Sequence, residues 1–335
     1  MLTLHHLEFE LEATTRLGLY EHSGTALRAA LFATLTRHFC PASASRTTGS
    51  DSQHQTYCPV CWLLAREEPD AARGKDVPRA LALRPPLASK TDFYPGERFR
   101  YALALFGDQA ASLFPYLIVA SNMMGEEGVG RRVANGQRGR FILRRAWAVN
   151  PLNESRQLLL AEGSRQVQTP TLAITEDDVQ AASAQMLRQL PTHGGHIAVH
   201  FLTPTRLVDQ KTLVHTPLFL PFFQRTAERV VQLTAWYGAP AAAAANFETL
   251  LPLADDVRLI ENRTLWVDLT SPSARKGQST PIGGFVGRVV YQADQWAPLL
   301  PWLLWGQLVQ VGKNTVKGNG WFDLAVAGGR NGYRS

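Results

Sequence analysis

The 335 residues exceed the usual size of one domain, so two domains of about 150 residues each are expected. Hydrophobic residues make up 45% and charged residues 19%, an ordinary globular balance, and a net charge of +6 weakly favours an anionic partner. The longest apolar stretch, WAPLLPWLLWGQLVQVG at 296–312, is broken by two prolines and falls short of the roughly 20 residues of a membrane span, so no membrane partner is expected. MLTLHHLEFELE alternates and carries acids, unlike a secretion signal, which predicts a cytoplasmic protein. In that reducing compartment Cys40, Cys58 and Cys61 point to thiols or a metal rather than to a disulfide.

In chain order, LTLHHLEFELEA alternates like a strand. SGTALRAALFATLTRHF spaces Leu27, Leu31 and Leu35 by four after Ser23, a candidate amino-terminal cap, and reads as a helix. The polar run PASASRTTGSDSQHQT (41–56) leads to YCPVCW and reads as a mobile insertion, spanning about 40–78. RALALRPPL and ERFRYALALFG read as strands, the second with Phe99, Tyr101, Leu103 and Leu105 on one face. Residues 109–124 carry Leu113, Leu117, Ala120 and Met124 at helical spacing, with Pro115 marking a first turn or a kink, and GRFILRRAWAV is a strand.

Strand, helix, strand, strand, helix, strand is the ferredoxin-like, or RRM-like, order: a four-stranded antiparallel sheet with two helices on one face. It recurs after residue 195 as HIAVHFL, PLFLPFFQRTAERVVQLTAWYG, TLWVDL, GGFVGRVVYQAD, APLLPWLLWGQLVQ and GWFDLAVAG. The expected fold is therefore α+β, with tandem ferredoxin-like domains at 1–150 and 196–335 joined by a connecting segment at 151–195.

Between the last helix and the last strand lies VGKNTVKGNGW, Val311 to Trp321. Gly312, Gly318 and Gly320 would let backbone approach a ligand and expose N–H groups, while Lys313 and Lys317 add charge suited to phosphate. A nucleotide-binding P-loop is excluded, since this loop follows a helix and Asn314 stands after Lys313.

FVGRVVY, the apolar helix and VGKNTVKGNGWFDL together resemble the carboxy-terminal signature of the CRISPR repeat-processing endoribonucleases of the RAMP superfamily. FLTPTRL, WYG, HSGTALRAALF and MGEEGVGRRVANGQRGRF are similar to other segments of that family. The resemblance implies tandem ferredoxin-like domains, precursor and guide RNA as partners, and membership of a multi-subunit CRISPR effector complex. It also implies that the loop of Gly312, Gly318 and Gly320 binds RNA. Nearby Arg206, Arg275, Lys276, Arg288, Lys313 and Lys317, with Arg131, Arg132, Arg138 and Arg140 in the first half, would contact phosphates; Arg275 and Lys276 sit in the hairpin loop SPSARKGQSTP.

RNA can be cut without metal by its own 2′-hydroxyl, leaving a 2′,3′-cyclic phosphate, if the protein aligns the groups and moves protons. His22, in the turn between first strand and first helix, is the chosen proton carrier, in the region where the family often places its histidine. Tyr20 beside it would orient it or share the proton. His196 and His200 alternate on one strand face that could be an RNA surface or a domain interface. No carboxylate cluster with metal-ligand spacing argues for a two-metal nuclease, and no cofactor is required for catalysis. Cys58-Pro-Val-Cys61 has the spacing of half a zinc site, which Cys40 with His38 or His54 could complete as a structural clip; the plainer reading is three reduced thiols. The rival to the enzyme is a non-catalytic RNA-binding subunit of an effector complex, built on the same fold.

Overall fold

The computed structural model describes residues 2–42, 52–66, 77–87, 90–132, 136–238, 246–272 and 279–327. The chain divides into two units, one built on Leu2–Ile174 and the other on Thr175–Ala235 and Ala239–Ser335, with Trp236–Gly238 grouped with the first.

In the first unit the alternating start of the sequence forms strand β1 (Leu4–Ala13). Its period of two buries Leu7, Phe9, Leu11 and Ala13 in the core and sends Glu8, Glu10 and Glu12 to the opposite face. Helix α1 (Gly24–Phe39) follows, then two short helices of the insertion, α2 (Ser52–Tyr57) and α3 (Pro59–Leu64). Strands β2 (Leu81–Arg84) and β3 (Arg98–Phe106), helix α4 (Phe114–Glu127) and strand β4 (Phe141–Asn150) complete the six-element order. Pro115 sits in the first turn of α4, where its missing N–H costs no helical bond.

A fifth strand, β5 (Ser155–Leu160), adds to the edge of the sheet, whose order is β2-β3-β1-β4-β5 with every pairing antiparallel. Sequence reading left these residues in a connecting segment, because RQLLL is too short for its alternation to register. Ile174 also pairs back onto Leu4 and holds the chain against the first sheet.

The second unit opens with helix α5 (Glu176–Leu187), capped by a reciprocal box between Thr175 and Asp178. Strand β6 (Gly195–Thr205), helix α6 (Phe219–Tyr237), strands β7 (Arg258–Val267) and β8 (Gly284–Ala293), helix α7 (Leu300–Val309) and strand β9 (Phe322–Val326) repeat the ferredoxin-like order. The sheet runs β7-β8-β6-β9, the same relative order as the first four strands of the first sheet. Phe201 stands at its core, with the rings of Phe285, Phe222 and Phe322 at 4.7, 5.3 and 6.1 Å. The helix α7 is apolar on nearly all sides because α5 also packs against it, and Trp305 Nε1 donates to Glu176 at 2.8 Å.

Candidate nucleic-acid interface

The connection from β1 to α1 carries both proposed catalytic side chains. Leu17–Gly18 pairs with Asp92–Phe93, and the Leu19 N–H donates to the Thr91 carbonyl at 2.7 Å. These bonds hold the turn Glu21–Ser23 at the start of α1. Tyr20 is exposed and His22 half-buried; burial pushes the His22 imidazole below its ordinary value near 6.5, only partly opposed by Glu21.

Against this connection lies the hairpin Val129–Arg132 with Arg138–Gly139. Backbones meet closely: a Cβ on Gly130, at φ +87°, would come 2.1 Å from the Gly18 carbonyl oxygen. Arg131 reaches over Gly18 and ion-pairs with Asp92 at 2.7 Å, where Arg16 also arrives at 3.4 Å. Arg132, Arg138 and Arg140 are exposed, and the guanidinium groups of Arg132 and Arg138 donate to the Gly136 and Gly130 carbonyls. The first unit thus gathers Tyr20, His22 and cationic side chains around one connection. Arg16 and Asp92 escaped sequence reading because a two-residue strand pair has no periodicity.

A second set of arginines is spent internally. On the face of the first sheet opposite its core, Glu10 accepts from Arg98 at 3.0 Å and Arg100 at 2.6 Å, Glu12 from Arg144 at 2.7 Å, and Glu8 from Arg156 at 2.8 Å. Burial would raise the Glu10 carboxyl, but Arg100 and Arg98 outweigh it and hold Glu10 below the usual carboxylate range. The pattern was present in the sequence as EFELE facing RFR across β1 and β3.

In the second unit the glycine loop folds onto its own chain. A Cβ on Gly320, at φ +75°, would stand 1.8 Å from the Val311 oxygen, and one on Gly312, at φ +80°, 2.4 Å from the Arg206 oxygen. The N–H groups of Lys313, Gly318 and Gly320 donate to Arg206, Thr315 and Pro204 carbonyls at 3.0, 3.0 and 3.1 Å. The N–H groups of Gly318 and Gly320 are thus engaged within the chain, and the close approach that Gly312 and Gly320 permit is to its own backbone. Asn319, buried beside them, donates its side-chain amide to the Ile282 carbonyl at 2.7 Å.

Of the loop's cations, Lys313 is exposed, whereas Lys317 is half-buried with Nζ on Ser271 Oγ at 3.1 Å. Arg206 donates to the Gly283 carbonyl at 3.2 Å, and Arg288 is neutralised by both oxygens of Glu261 at 3.1 Å. Arg275 and Lys276 lie outside the described residues. Strand register sets His200 beside Arg288 and Asp323, on the face it shares with His196, and burial lowers its imidazole.

The insertion brings Cys40, His54, Cys58 and Cys61 together, their ligand atoms all within 4.8 Å of one another. His38, the other histidine considered, instead meets Glu127 at 3.1 Å. Among the described residues no helix is long and apolar enough to cross a membrane.

Two ferredoxin-like units of matching strand order, the second with a glycine-rich turn before its last strand, make up the architecture. Residues 2–172 match the family model AF_1859_N, described as an N-terminal domain, and residues 199–322 match that of the CRISPR-associated endoribonuclease Cas6. Over residues 199–322 the chain is thus similar to the Cas6 endoribonucleases. Its fold is similar to that in a partial Cas6-RT-Cas1-Cas2 complex, with 14% identity, 100% of this chain and 48% of that one covered, and a TM-score of 0.60. A Cas6 product complex gives 14%, 96%, 99% and 0.53 in the same terms, and Thermus thermophilus Cas6 gives 13%, 97%, 99% and 0.52. The chain spans about half the length, 48%, of the chain in the partial complex. No curated protein matches the sequence.

Proposed function

We propose that this protein is an endoribonuclease that cuts the repeat in CRISPR precursor RNA to give guide RNA. The observation that carries the reading is the placement of Tyr20 and His22 on a connection packed against the arginine hairpin. The arginines bind phosphate and bring the scissile linkage to the histidine; such contacts position the strand without reading its sequence.

In the proposed step the neutral His22 imidazole removes the proton from a 2′-hydroxyl. The oxygen attacks the adjacent phosphorus, the bond to the 5′-oxygen breaks, and the products are a 2′,3′-cyclic phosphate and a 5′-hydroxyl once the leaving oxygen gains a proton. Tyr20 orients the imidazole or shares the proton transfer. The lowered affinity of His22 for protons leaves it in the basic form at neutral pH. No metal takes part, and a zinc ion held by Cys40, His54, Cys58 and Cys61 would be structural. In the second unit Lys313, Lys317, Arg206, Arg275 and Lys276 supply further phosphate contacts. The naming of Cas6, RT, Cas1 and Cas2 together in one similar structure supports placing this cytoplasmic chain in a multi-subunit CRISPR assembly.

Incubating the protein with end-labelled repeat RNA in EDTA tests this. Cleavage is expected; tight binding with intact RNA would favour the non-catalytic subunit instead.

A further inference from the structure

We propose that Cys40, His54, Cys58 and Cys61 form a tetrahedral Cys3His zinc site that ties the carboxy-terminal end of α1 to the α2–α3 insertion. The inference stands apart from the reading of RNA cleavage.

Local structure aims all four groups at one point. Cys40 is the residue that caps α1, its N–H donating to Thr36 at 3.2 Å. His54 lies on α2, and the Cys58 N–H bonds back to the His54 carbonyl at 3.0 Å, carrying the helical turn up to the first cysteine of the CxxC pair. Cys58 then caps α3, with Pro59 in its first turn, and Cys61 falls one turn further on. The three thiols and the imidazole are all buried.

Two of the spacings lie near those of a tetrahedral site. Cys40 and Cys61 Sγ are 3.9 Å apart and Cys40 Sγ lies 3.3 Å from His54 Nε2. An S–S bond needs about 2.05 Å, so these are thiols, whereas ligands at about 2.3 Å for sulfur and 2.0 Å for nitrogen span tetrahedral edges of roughly 3.5 to 3.8 Å. His54 Nδ1 meets the Tyr57 hydroxyl at 3.1 Å, the outer hydrogen bond that would fix the tautomer and free the Nε2 lone pair for the ion. A metal held there would bind the three cysteines as thiolates, so its uptake would release protons.

Metal analysis of the full chain, purified and dialysed with and without added zinc chloride, should find about one zinc per chain, and Cys58→Ser with Cys61→Ser should abolish it. Less than about a tenth of an equivalent in wild type, with no uptake from zinc chloride, would overturn the site. Tyr57→Phe, an exposed and conservative change, should weaken zinc affinity by about 10- to 100-fold in chelator competition. Unchanged affinity would remove Tyr57 from the outer shell.

Discussion

Replacing Gly320 by Ala separates packing from ligand contact in the glycine loop. The added Cβ would sit 1.8 Å from the Val311 oxygen, so backbone must move, and the left-handed conformation at φ +75° costs a non-glycine residue about 1–2 kcal/mol. Movement also weakens two hydrogen bonds, Val311 N–H to Gly320 O at 2.9 Å and Gly320 N–H to Pro204 O at 3.1 Å, each with a net contribution of about 0.5–1.5 kcal/mol. Together these give a destabilisation of roughly 2–5 kcal/mol. Urea titration, with hydrogen exchange at Val311 and Gly320 to confine the effect to the second unit, measures it. A loss below about 0.5 kcal/mol, within the range of ordinary surface changes, would refute the packing argument.

Four further substitutions probe the surface, the chemistry and the stability. His22→Ala should slow single-turnover cleavage by about 10²- to 10⁴-fold while RNA affinity changes little. In wild type the rate should fall as pH drops through the lowered His22 value, and that acid limb should vanish in the variant. Lys313→Ala should reduce the slope of log affinity against log salt by about 0.7–0.9, and Lys317→Ala by less because its ammonium is already engaged on Ser271, as read by titrations across a salt series. Glu10→Gln should cost about 1–2 kcal/mol after allowance for screening of the partly exposed arginines. Because Glu10 is depressed on folding, its contribution is present above the unfolded carboxylate range near 4.5 and disappears as pH falls through its lower folded value, so the variant's stability should depend less on acid.

Much of the fold was legible because strands and amphipathic helices announce themselves by period. β1 alternates over ten residues, and α6 repeats Phe219, Phe222, Phe223, Thr226 and Val230 on one face. The fifth strand was not, since its few residues leave no pattern that distinguishes strand from loop. The turn carrying Tyr20 and His22 could be placed from sequence, but the arginine hairpin beside it and the Asp92 clamp depend on long-range register. For the glycine loop, sequence showed where tight turns fall yet not what the backbone approaches, which is the carbonyls of Val311 and Arg206. The CxxC pair was visible by spacing, whereas selecting His54 over His38 required α2 to turn one inward and Glu127 to engage the other.

The central claim is that this chain cuts RNA by internal 2′-hydroxyl attack. Single-turnover cleavage of repeat RNA should leave 2′,3′-cyclic phosphate and 5′-hydroxyl ends, and one 2′-deoxy substitution at the cut site should abolish cleavage without preventing binding. Cleavage of the deoxy substrate at the same position, or 3′-hydroxyl and 5′-phosphate ends on the products, would contradict it.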